Sequence, residues 1–121
     1  MSQSKQPDDL QRLQQALKKF NEDRDWSQYH SPRNLAMAIS VEASELLELF
    51  LWSSDDGPQP PVEGRDSRVH EEIGDVLITV LNFCAVTGID PIKAALHKLE
   101  KNREKYPVKY SKGKLEKHNE F

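Results

Sequence analysis

Helix signals repeat four times along this 121-residue chain, and that punctuation confines the fold to packed helices. Pro7 and Asp8 open a segment with Leu10, Leu13, Leu17 and Phe20 at helical spacing, which predicts a helix over about 8–24. Ser31-Pro32 supplies a capping hydroxyl and a first-turn proline, and predicts a second helix over about 32–52. Its apolar residues include Leu35, Ile39, Leu46, Leu49 and Phe50. A third helix is expected over about 67–87, ended by Gly88. Asp90-Pro91 repeats the cap-plus-proline signal, and Tyr106-Pro107 closes a fourth helix over about 91–105. Between them lie the connector DWSQYH (25–30) and the loop SSDDGPQPPVEGRD (53–66), with three prolines and two glycines. Neither an internal repeat nor a convincing strand pair interrupts the pattern. The expected fold class is all-α, a four-helix-bundle-like subunit over 1–106 followed by a loose polar tail over 107–121.

A chain this short buries a modest core, so assembly with further copies is expected. No run approaches the roughly 20 apolar residues that span a bilayer, and MSQSKQPDDL is too polar for a secretory signal. The single cysteine, Cys84, lies in the apolar run VLNFCAV and reads as a buried structural thiol. A cytoplasmic location is the simplest expectation. The net charge of -3 hides a segregation. Residues 1–33 carry +1, residues 34–92 carry -9, and residues 93–121 carry +5. One part can attract cations and another phosphates, although charge alone favours two solvated faces of opposite sign. The mostly acidic chain with a short basic tail argues against nucleic-acid binding.

The carboxylates carry the sharper signal. The second helix holds Glu42 and Glu45, with Glu48 beyond them, and the third holds Glu71, Glu72 and Asp75. Residues three apart project about 60° from one another, so Glu42 with Glu45, and Glu72 with Asp75, share a helix face. Side-by-side packing of these helices would converge four carboxylates. Residues 34–64 and 69–92 contain no Lys or Arg, so both pairs are expected to lack an ion-pair partner. They also sit within the apolar stretches AISVEASELLELFLW and VHEEIGDVLITVL, where clustered carboxylates are costly without compensation. A cation is the natural compensation, and oxygen-only ligands favour a hard ion, magnesium or manganese. The bland alternative is a set of helix-surface acids.

Lys98, Asn102 and Tyr106 recur at spacings of four on the fourth helix, suited to phosphate and sugar oxygens. A solvated basic helix meets the same spacing. Trp52 lies ten positions after Glu42 and seven after Glu45. On a continued helix it stays within about 80° of both. Such a ring can stack on a nucleobase, or anchor a core or an interface, as can Trp26. His30 can contact substrate, cap the next helix or stand in solvent. Gly74, inside the third helix, is expected to permit close helix approach.

At these residues the sequence resembles a known family. Glu42-x-x-Glu45 followed by Glu72-x-x-Asp75 is similar to the signature of the all-α nucleoside triphosphate pyrophosphohydrolases, the MazG-like superfamily. The stretches RDWSQYHSPRNLAMAISVEASELLELFLW, EEIGDVLITVL and KLEKNREKYP resemble its dCTP pyrophosphatase branch. The resemblance covers about residues 10–107. It implies helical subunits that assemble as dimers or tetramers. It also implies hydrolysis between the α- and β-phosphates to a monophosphate and pyrophosphate, with dCTP or a modified dCTP as the expected substrate. By match of motif, Glu42, Glu45, Glu72 and Asp75 would hold magnesium, Trp26 and Trp52 would stack on the base, and Lys98, Asn102 and Tyr106 would face phosphates and sugar. His30 and Arg33, within the first stretch, complete the candidate substrate contacts. Two positions depart from the pattern: Leu17 stands where the mammalian dCTP enzymes carry a histidine, and Thr79 where they carry a tyrosine. Both bear on the nucleoside pocket more than on the chemistry.

The mechanism that follows gives Glu45 the water, to orient or deprotonate for in-line attack, while Lys98 and the metal stabilise the departing pyrophosphate. Two rival readings remain open: a relative acting on dUTP or phosphoribosyl-ATP, and a non-catalytic helical interaction module with an acidic, metal-binding seam.

Overall fold

The computed structural model describes residues 6–65 and 67–114, and all regular structure among them is helical. The elements are α1 (Asp9–Asp23), a 3₁₀ turn (Ser27–Tyr29), α2 (Pro32–Glu48), α3 (Arg68–Thr87), α4 (Pro91–Lys105) and α5 (Val108–Ser111). The chain forms two compact units that divide between Gly88 and Ile89.

Side-chain caps fix where each long helix begins. Asp8 and Gln11 form a reciprocal capping box, with Asp8 Oδ1 accepting from the Gln11 N–H at 2.7 Å. Ser31 Oγ accepts from the Asn34 N–H, and Ser67 Oγ from the His70 N–H, each at 3.1 Å. Asp90 Oδ1 accepts from the N–H groups of both Ile92 and Lys93 at 3.0 Å. Gly88 ends α3 at φ 73°, a left-handed conformation that costs glycine nothing.

In the first unit α2 packs chiefly on α3, and α1 touches α3 more lightly. Leu35 of α2 and Leu81 and Cys84 of α3 form the small apolar core, which confirms the buried thiol. Asn21 brings a polar group from α1 into the same interior. After α1, Asp25 adopts φ 54°, which short polar residues tolerate better than bulky ones. Gln28 Nε2 holds that turn by donating to the Asp25 carbonyl and carboxylate, both at 3.0 Å. The chain then places the Trp26 ring edge-on against Phe20, 5.5 Å between centroids. In the second unit, α4 is followed by the single-turn α5, so the expected loose tail begins with ordered helix. The remainder of that tail, 115–121, lies outside the described residues.

Two further expectations are corrected. The second helix stops at Glu48, not 52, because its last carbonyls turn to tighter i→i−3 bonding. Leu49 N–H donates to the Leu46 carbonyl, Phe50 N–H to Leu47, and the Ser53 hydroxyl to Phe50. Gly74 is not a point of close approach: a Cβ built there meets nothing within 4 Å.

Candidate active site

The α2–α3 pairing converges the four acids. Glu42, Glu45, Glu72 and Asp75 each offer an oxygen, and these oxygens all lie within 4.8 Å of one another. Glu72 is buried, Glu42 and Glu45 are half-buried, and Asp75 is exposed. Glu48 stands exposed and outside the group. The expectation that neither pair has a cationic neighbour is wrong for one of them. Arg68, one turn before Glu72, brings its guanidinium to 3.5 Å from Glu72 Oε1. That side chain is 68% exposed, so the pair contributes little through water, and three further carboxylates have no such partner among the described residues.

The cluster carries its charge at a cost. Burial pushes the Glu42 carboxyl above its ordinary range, and repulsion from Glu45, a hydrogen bond with Glu45, and then Asp75 and Glu72 push the same way. Glu42 Oε2 and Glu72 Oε2 are buried without any hydrogen-bond partner among the described residues. Orphaned oxygens of this kind suit a cation. Oxygens bound to one magnesium at about 2.1 Å lie at most about 4.2 Å apart, so small side-chain rotations suffice to close the group on an ion. The all-oxygen donor set fits a hard divalent metal.

One helical turn away lies a cavity of about 280 Å³. Leu17 and Asn21 of α1, Trp26, His30, and Thr79 and Asn82 of α3 are in its wall. Ala38, one turn before Glu42, lines it from α2, and Thr79 stands one turn after Asp75. On both helices the step from acid to cavity is about 6 Å of rise. A neighbouring hollow of about 530 Å³ shares Leu17, Asn21, His30 and Asn82, and continues along α1 to Pro7. Both departures from the family pattern, Leu17 and Thr79, therefore face the same cavity.

Of the candidate contacts, Trp26 and His30 meet at this cavity, while Arg33 is exposed in the first turn of α2 and outside its wall. Trp52 is 97% exposed on the turn after α2. Its expected placement beside the acids required a helix that continues to 52, and that helix has already ended. Lys98, Asn102 and Tyr106 belong to the second unit, with Asn102 and Tyr106 half-buried on α4 and its cap. The Lys98 ammonium is held below its ordinary range by the like charge of the nearby Lys105 ammonium, with slight desolvation and Lys101 acting the same way. Arg103 by contrast is paired with Glu100 at 2.6 Å. Residues that sequence reasoning passed over are Arg68, Asn21 and Asn82. Asn82 left a signal: with Thr79 it is one of two polar residues in the apolar run VLITVLNFCAV.

Comparison with known proteins adds independent findings. A family model described as MazG-like matches residues 37–121. The dCTP pyrophosphatase 1 of Rattus norvegicus is 40% identical over 108 residues, covering 88% of this chain and 62% of that protein. The Homo sapiens protein of the same name is 36% identical over 116 residues, covering 94% of this chain and 66% of its own length. The chain thus spans about three fifths to two thirds of these curated relatives. Among solved structures, a pyrophosphatase from Archaeoglobus fulgidus superposes with a TM-score of 0.74 at 42% identity, covering 88% of this chain and 99% of that one.

Proposed function

The chain belongs to the MazG-like family, and from that premise we propose that it is a metal-dependent nucleoside triphosphate pyrophosphohydrolase. It cleaves a deoxynucleoside triphosphate, dCTP or a modified dCTP, to the monophosphate and pyrophosphate, and serves nucleotide pool control or sanitation. One observation carries this reading: four convergent carboxylates lie one helical turn from a cavity walled by an aromatic ring. A single nucleotide can present its phosphates to the first and its base to the second.

Glu42, Glu45, Glu72 and Asp75 would hold the metal, magnesium or manganese in its place. When bound, the cation neutralises triphosphate charge that the carboxylates alone would repel, and it polarises the α-phosphorus. Glu45 orients a water and takes its proton. The water oxygen bonds to the α-phosphorus as the bond to pyrophosphate breaks, in line. Trp26 stacks on the base, with His30 in the cavity wall beside it. Arg33 and Trp52, both exposed, are further contacts, the first for phosphate and the second for the base. Lys98, Asn102 and Tyr106 offer a cation and hydrogen-bonding groups for phosphate and sugar oxygens on α4.

Self-association into a dimer or tetramer belongs to the same reading. Val41, Leu47, Ile73 and Leu77 are all about half exposed, and the apolar core of the described residues is small. Further copies would bury this surface. No single helix among the described residues is long and apolar enough to cross a membrane, which accords with a cytoplasmic enzyme.

The test is pyrophosphate release from a panel of dNTPs, NTPs and 5-substituted dCTP analogues, with magnesium and with chelator. Magnesium-dependent release from one or a few nucleotides is the expected result. No release from any of them, by folded and oligomeric protein, would overturn the assignment in favour of the interaction module.

A further inference from the structure

Two of the polar groups around the nucleoside-sized cavity are already committed. Thr79 Oγ1 donates to the Asp75 carbonyl at 2.6 Å, which leaves a methyl group for the cavity. Asn34 Nδ2 donates to the Tyr29 carbonyl at 3.1 Å. Leu17 offers only hydrocarbon. Asn21 and Asn82 are different. Asn21 Nδ2 donates to Asn82 Oδ1 at 3.0 Å, joining α1 to α3 across 61 positions of sequence. That single bond leaves one acceptor, Asn21 Oδ1, and one donor group, Asn82 Nδ2, with no partner among the described residues. Both residues line the cavity, and Asn21 is 8% exposed. Asn82 is half-buried, and a carboxamide pair at this depth is costly unless its remaining valences are met. Neither atom is a fully buried orphan, so both stay open to something that enters the hollow.

We propose that the Asn21–Asn82 pair is the base-reading element of this site and that it selects cytosine. Asn21 Oδ1 accepts from the exocyclic amino group, Asn82 Nδ2 donates to the adjacent ring nitrogen N3, and Trp26 covers the face of the ring. Uracil and thymine present the reverse order on that edge, a carbonyl oxygen and an N–H. Acceptor would then face acceptor and donor would face donor, which a desolvated site rejects strongly. The hydrogen bond between the two asparagines fixes this order and couples it across two helices. The inference rests on the pyrophosphohydrolase reading for the rest of the substrate, and it moves polar recognition to a pair that offers the cavity a donor and an acceptor, where Leu17 and Thr79 depart from the family pattern.

The test compares wild type, Asn82→Leu and Asn82→Asp, each checked for folding by thermal unfolding. Hydrolysis of dCTP and dUTP is measured with magnesium, and binding of dCMP and dUMP is measured by calorimetry with chelator. Asn82→Asp keeps the oxygen that accepts from Asn21 and converts the free donor into an acceptor, so it distinguishes recognition from damage. Wild type is expected to prefer the cytosine nucleotide in both assays. Asn82→Leu is expected to lower that preference by at least about tenfold, and Asn82→Asp to shift it toward uracil. If wild type hydrolyses triphosphates and both variants keep its base preference, the pair is not the reader, while the proposed function stands. If wild type consumes no triphosphate but binds dCMP over dUMP in a way the variants lose, the pair stands and the hydrolase reading falls. Wild type that binds and cleaves no nucleotide overturns both.

Discussion

Between Glu71 and Asp75, α3 carries three carboxylates, and between Thr79 and Cys84 it carries two neutral polar side chains, Thr79 and Asn82, among apolar ones. The two stretches lie on one helix and pack in the same unit, yet they treat polarity in opposite ways. In the first, Glu72 Oε2 is buried with no hydrogen-bond partner among the described residues, and the Arg68 pair is too exposed to balance four converging acids. In the second, Thr79 is bonded to the Asp75 carbonyl and Asn82 to Asn21, beside the well-buried Leu81 and Cys84. One end of the helix is a neutral core whose polar pair is internally bonded and keeps a donor and an acceptor open. The other is held in a costly arrangement that a cation would relieve. Burial is thus concentrated toward Leu81 and Cys84, and unmet electrostatic demand among the four acids.

That contrast can be broken from either side. The largest effect is expected at the acidic end: Glu45→Gln should lower the rate of pyrophosphate release by about 10²–10⁴-fold with little change in unfolding temperature. At the neutral end, Leu81→Ala should cost about 2–5 kcal/mol, read by denaturant unfolding, because Leu81 is 3% exposed at the α2–α3 contact. Glu42→Gln should act in the opposite direction from most substitutions. With chelator present it should stabilise the protein by at least about 0.2–0.5 kcal/mol, since it removes a partly buried charge that Glu45, Asp75 and Glu72 all repel. The smallest effect belongs to Trp52→Ala, which should change unfolding free energy by less than about 0.5 kcal/mol, the ring being 97% exposed.

Much of this was legible in the sequence where local chemistry decides the outcome. Asp90-Pro91 and Tyr106-Pro107 bound α4 at Pro91 and Lys105, the limits that the structure shows, because caps and prolines act within one turn. Spacing also gave the four acids, since three-residue steps fix a helix face before any packing is known. The end of α2 was not legible. No glycine or proline stands between 49 and 56, and the tight turns there depend on bonding from Ser53 to Phe50. The expected placement of Trp52 on a continued helix fails with it. Arg68 was passed over because it sits just before the cation-free run, four residues from Glu72. The Asn21–Asn82 bond was beyond reach for a different reason: it joins residues 61 apart, and only the packing of α1 on α3 brings them together.

Orphaned carboxylates on α2 and α3 are proposed to make a metal site. Thermal unfolding of wild type and Glu72→Gln, each with chelator and with magnesium, tests it most directly. Magnesium should stabilise wild type, by about 2.7 kcal/mol at a hundredfold excess over its dissociation constant, and leave Glu72→Gln nearly unmoved. A wild-type unfolding temperature indifferent to magnesium and to manganese, or an equal rise in the variant, would contradict it.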